Sequence, residues 1–105
     1  MTVLFGKVLL DEEDKEIKGK GGKPFTLKDA CIQALTATYQ DEQILPGEEK
    51  FKRYELYQKI KALTDPAELL SDDIVSLKKL VGKAYGPLVV GQCWNALEGK
   101  KTEGK

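Results

Sequence analysis

Apolar residues crowd the start of the chain. Along an extended Val3–Leu10 segment, Val3, Phe5 and Leu9 share one face and Leu4, Val8 and Leu10 the other. The acidic run Asp11–Asp14 interrupts them, and Lys15–Lys18 can return as a second strand. The pattern therefore predicts an N-terminal β-hairpin or extended segment. Two strands alone are marginal in water, so this unit must lie on helices or pair with another chain. Gly19–Pro24 reads as a loop.

From Thr26 the period lengthens. Leu27, Ala30, Cys31, Ala34 and Leu35 follow at three- and four-residue spacing, the mark of a helix with one buried face. Thr26 and Asp29 suit a capping box, and the helix should fade near Tyr39. A second helix is predicted within Ile44–Leu63, starting at Pro46-Gly47, with Phe51, Tyr54, Leu56, Tyr57, Ile60 and Leu63 as a wide apolar face. Glu48–Lys52, Glu49–Arg53 and Glu55–Lys59 are spaced as i,i+4 ion pairs. Asp65-Pro66 breaks the pattern, and a short helical turn through Leu70 is expected after it.

The third helix starts at Ser71–Asp73 and carries the stripe Ile74, Leu77, Leu80, Val81 and Ala84. Gly86 stops it, Pro87 opens a fourth, and Gly99 ends that one. In the fourth helix Gln92, Asn95 and Glu98 form one narrow polar stripe, and nearly everything else is apolar. Gly91 sits where a missing side chain would admit another helix. So wide an apolar arc predicts a central helix, and Trp94→Ala would cost about 3–5 kcal/mol if the ring were core. The fold class expected is mainly α (α+β), with about four helices packed around the C-terminal apolar helix. Residues 1–99 would form one domain and 100–105 a polar tail.

Composition narrows the function classes. Seventeen basic residues balance seventeen acidic ones, so no overall basic footprint points to nucleic acid. No apolar run reaches the ~20 residues needed to cross a bilayer, and the start does not read as a signal peptide. A cytoplasmic protein without membrane association is the expectation. Histidine is absent, which removes the commonest general base and the usual zinc ligand. Cys31 and Cys93 sit in apolar helical patterns and read as buried thiols. Asp11–Asp14 lacks calcium-loop spacing and reads as a solvated turn. No catalytic residue, metal ligand or cofactor is assigned, and the expectation is not an enzyme.

Two surfaces remain as binding candidates. Val89, Val90, Trp94 and Leu97 could complete a partner interface. Lys18, Lys20, Gly21, Gly22 and Lys23 could contact an anion, although Pro24 after Lys23 rules out a Walker-type phosphate loop. Tyr54 and Tyr57 beside Lys50, Lys52 and Arg53 could stack single-stranded nucleic acid, but Glu48, Glu49 and Glu55 interleave and oppose the field, which disfavours a nucleic-acid partner.

The ordered series "GKPFTLKDACIQAL", "GEEKFKRYELYQKI" and "LSDDIVSLKKLVGKAYGPLVVGQCWNALE" resembles a group of small proteins encoded by tailed bacteriophages and prophages, over about residues 3–98. The resemblance implies a phage product in the bacterial host cytoplasm or associated with the virion, and it transfers no site residues. The leading expectation is an accessory or assembly protein that acts through a protein partner or as a homo-oligomer. A binder of a small anionic ligand at the loop 18–24 is the alternative, and a single-stranded nucleic-acid binder a further one.

Overall fold

The computed structural model describes residues 2–42 and 44–98, with Lys20 described in its backbone only. Among the described residues, two strands and four α-helices run in chain order, β1 (Thr2–Val3), α1 (Leu27–Thr36), α2 (Gly47–Ala62), β2 (Ala67–Glu68), α3 (Ser71–Ala84) and α4 (Pro87–Leu97), with short 3-10 turns at Lys20–Gly22 and Gln40–Glu42. The protein is mainly helical with a small β component. Gly99, expected to end the last helix, and the polar tail lie outside the described residues.

The centre of the fold is α1. Its capping box is complete: Asp29 N–H donates to Thr26 Oγ1 at 3.3 Å, and Thr26 N–H to Asp29 Oδ2 at 3.0 Å. Leu27, Ala30, Cys31, Ala34 and Leu35 are all buried, as the spacing predicts. The small side chains of Ala30, Cys31 and Ala34 let α2, α3 and α4 all approach this helix. This corrects the expected centre at α4, whose only fully buried side chains are Cys93 and Leu97. The helix also stops earlier than expected, at Thr36. The β-branched pair Thr36 and Thr38 favours extended backbone, and Ala37 adopts it.

Three short segments lie side by side at the N-terminal end. Asp11 N–H donates to Lys15 O (2.8 Å) and Ile17 N–H to Leu9 O (3.0 Å), so the chain folds back at the acidic run. Phe25 N–H then donates to Ile17 O (2.7 Å) and Leu9 N–H to Phe25 O (2.9 Å). The expected hairpin is thus present as isolated antiparallel bridges, Leu10 with Glu16, joined by Lys18 with Pro24 and Val8 with Thr26. Val3, Phe5 and Leu9 are the inward face, and Leu4 is exposed.

The continuous ladder pairs distant segments. β1 runs antiparallel to β2, with Thr2 opposite Glu68 and Val3 opposite Ala67. This strand replaces the helical turn expected after Pro66, since the N-terminal backbone needs pairing partners. The Asp65 carboxylate strengthens the junction, accepting from Phe5 N–H (2.7 Å) and Gly6 N–H (2.6 Å).

Two further expectations change. Of the face expected on α2, Ile60 is buried and Leu56, Tyr57 and Leu63 pack half-buried against the core, while Phe51 and Tyr54 are exposed, so the wide apolar face packs inward only in part. Its basic residues do not take the i,i+4 partners either. Lys52 reaches Glu49, Arg53 reaches Glu42, and Lys59 reaches Asp73 on α3. On α3 the stripe Ile74, Leu77, Leu80 and Val81 is buried, but Ala84 at its end is exposed.

Candidate functional site

A depression of about 500 Å³ lies between the end of α1, the 37–45 connection and the first turns of α2. Leu35, Tyr39 and Leu45 give it apolar walls, Glu42 and Arg53 its charged side, and Lys50 also lines it. The Glu42 and Arg53 charges are already matched. Arg53 donates through both terminal nitrogens to Glu42 at 2.7 and 2.8 Å, and Lys83 of α3 reaches the same carboxylate at 2.5 Å and Asp41 at 3.1 Å. Both cations lie over the Tyr39 ring, at 6.0 and 5.2 Å from its centroid. The Tyr39 hydroxyl donates to Ala34 O at 2.6 Å.

Hydrogen bonds from Arg53, then Lys83, hold the Glu42 carboxyl down to about 2. The same contacts raise Arg53 and Lys83 above their usual values, and desolvation raises Tyr39. The cluster ties the 40–42 turn to α2 and α3. Its ion pairs join residues 11 to 42 positions apart, so no local spacing announces it.

The outer face of α4 carries most of the residues expected at a partner interface. Trp94 is 38% exposed, and Val89 and Val90 are half-buried against the core. Leu97 is fully buried, so it belongs to the core and cannot line an interface. Leu88, 43% exposed, takes its place. The indole is anchored: Nε1 donates to Lys78 O at 3.1 Å, and Lys78 Nζ sits 4.6 Å from the ring centroid while pairing with Glu98. A Cβ added at Gly82 would stand 3.7 Å from Trp94 Cζ2, whereas one at Gly91 would meet nothing within 4 Å. The close approach expected at Gly91 occurs instead at Gly82.

The polar stripe of α4 is also more than a wet edge. The Gln92 side chain acts like a strand backbone toward Leu10, accepting from its N–H at 2.9 Å and donating to its carbonyl at 2.8 Å. Glu98 meets Lys78.

In the 18–24 loop, Gly21 and Gly22 take left-handed φ of 69° and 74°, which glycine adopts without strain. Gly19 N–H donates to Lys23 O (2.7 Å) and Gly22 N–H to Gly19 O (3.2 Å), so these two donors close the turn on itself. Lys18 meets Glu16, Lys23 is exposed, and the Lys20 side chain lies outside the described residues. A shallow hollow beside the loop is shared with Asp29, a carboxylate that opposes an anion. Cys31 and Cys93 are free, fully buried thiols; burial pushes Cys93 up to about 12 and Cys31 higher still. Among the described residues no group of three or more acidic or cysteine side chains could hold a metal ion, and no helix is long and apolar enough to cross a membrane.

Compared with protein-family models, curated proteins and solved structures, the chain has no match.

Proposed function

We propose that the protein is a non-enzymatic interaction protein that self-associates through the outer face of α4. The observation that carries this reading is the line Leu88–Gly91–Trp94. Two large apolar side chains, 43% and 38% exposed, stand at i and i+6 on either side of a bare glycine. Between them a second helix can come close to the backbone, and a face of this kind is self-complementary about a two-fold axis. A formal net charge of zero leaves no overall repulsion between copies. The phage context rests on the order of sequence segments alone.

Sedimentation over a range of protein concentrations, read together with the emission of the single Trp, tests the proposal. The wild type is expected to dimerise as concentration rises, with a blue shift of the Trp94 emission. Gly91→Glu should stay monomeric with an unchanged circular dichroism spectrum, because the added side chain meets open space in the monomer. A wild type that remains monomeric at every concentration, with constant emission, overturns the reading.

A further inference from the structure

We infer that the outer flank of α2 is a binding strip for single-stranded nucleic acid, a function separate from self-association. Phe51, Tyr54 and Tyr57 recur at i, i+3 and i+6 and form a ladder of rings. Successive centroids are 6.3 and 6.2 Å apart, with interplanar angles of 28° and 42°. Phe51 and Tyr54 are 58% and 53% exposed. At about 100° per residue, Lys50, Tyr54, Tyr57, Gln58 and Lys61 fall within an arc of about 100°. Phe51 closes that arc on one side, and Glu48 and Glu55 lie beyond it.

Charge separates this strip from the rest of the helix. Lys52, Arg53 and Lys59 are each engaged by a carboxylate, respectively Glu49, Glu42 and Asp73. Lys50 and Lys61 form no ion pair among the described residues, and both border the rings. Lys61 Nζ lies 5.7 Å from the Tyr57 centroid. Of the carboxylates that interleave along the sequence, Glu49 is engaged by Lys52, and Glu48 and Glu55 lie beyond Phe51, outside the arc that holds Lys50 and Lys61.

The composition of the arc selects the occupant. It combines rings and cations with no aliphatic side chain, the combination that binds a single strand by stacking and charge. Phe51 and Tyr54 are exposed rings and Tyr57 is half-buried against the core; surface rings beside unpaired ammonium groups match bases flanked by phosphates, and stacking of this kind tolerates any sequence. Phe51 and Tyr54 would stack bases while Lys50 and Lys61 contact the backbone. The Tyr54 hydroxyl accepts from Gln58 Nε2 at 2.9 Å, which steadies the central ring.

Fluorescence anisotropy of a labelled short oligothymidylate tests the strip, using the full chain and its Gly91→Glu variant so that loss of self-association is scored separately. Binding is expected in both. Its logarithm should fall with that of salt with a slope of about −1.4, the value for two phosphate contacts on a single strand, or about 25-fold between roughly 20 and 200 mM. Tyr54→Ala should weaken it about tenfold and Tyr54→Phe should largely retain it. Lys61→Ala should reduce the slope to about −0.7. No binding at the lowest salt overturns the inference. So does binding that Tyr54→Ala leaves intact, or equal competition by polyglutamate, which would show a response to charge alone. An acidic or apolar peptide that binds the strip in place of the oligonucleotide overturns it in favour of a protein partner.

Discussion

Two glycines show how differently one residue type is used. At Gly6 a Cβ would stand 2.7 Å from Asp65 Oδ2, the oxygen that accepts the Gly6 N–H. Gly6→Ala must displace that carboxylate and should cost about 1.5 kcal/mol, the worth of a charge-assisted hydrogen bond. At Gly91 nothing lies within 4 Å, in the middle of a helix. In the monomer, at protein concentrations too low for self-association, Gly91→Ala should add about 1 kcal/mol through helix propensity. Thermal unfolding of the two variants should therefore move in opposite directions, by about 4–8 °C per kcal/mol. The sequence does not distinguish the two positions. Gly6 is constrained by a side chain 59 positions away, and Gly91 is free because no helix covers it.

Among elements, α1 and α4 mark the limits of periodicity. The buried face of α1 and its cap are both legible, because capping groups and apolar neighbours lie within a few residues of one another. For α4 the apolar arc is legible but its neighbours are not, and the arc is left partly uncovered. Its attachment to the N-terminal segment depends on Gln92, which pairs with the Leu10 backbone 82 positions earlier. Gln92→Leu leaves a part-buried N–H and carbonyl without partners and should cost about 2 kcal/mol. Hydrogen exchange gives the local reading: the Leu10 amide should exchange faster, while the amides of α1 keep pace with global unfolding. On α2 the i,i+4 spacing predicts local ion pairs, but Arg53 and Lys59 turn to carboxylates on other elements. Partners held by the tertiary fold outcompete neighbours worth only about 0.2–0.5 kcal/mol each.

For the whole molecule, the Glu42 cluster links acid stability to architecture. Its folded pKa, about 2, lies below the ordinary value of 4.5. The unfolded state therefore binds the proton first. The stabilisation is fully present above about pH 4.5 and is lost as pH falls from there toward 2. Denaturant midpoints of the wild type should fall through this window. Glu42→Gln should show a flatter profile, with a lower midpoint near neutral pH. Equal slopes in the two proteins would mean that other carboxylates govern acid unfolding. The cluster joins the 40–42 turn, α2 and α3, so its loss should lower the stability of the assembly of helices rather than fray one end.

The sequence by itself determined the helical class, the capping box of α1, the Gly86-Pro87 junction and most of the core positions of α1 and α3. Each depends on residues within one or two turns, where backbone geometry and apolar spacing act directly. Only the tertiary structure decided that α1 is the central helix, that the N-terminus pairs with Ala67–Glu68, and that Leu97 is closed while Leu88 and Trp94 stay open. It also decided which charges on α2 are consumed and which are left beside the rings. These outcomes depend on segments that meet only after the chain has folded. Small side chains on α1 admit three helices, backbone groups at the start need distant partners, and a charge is spent on whichever opposite charge packing brings within reach.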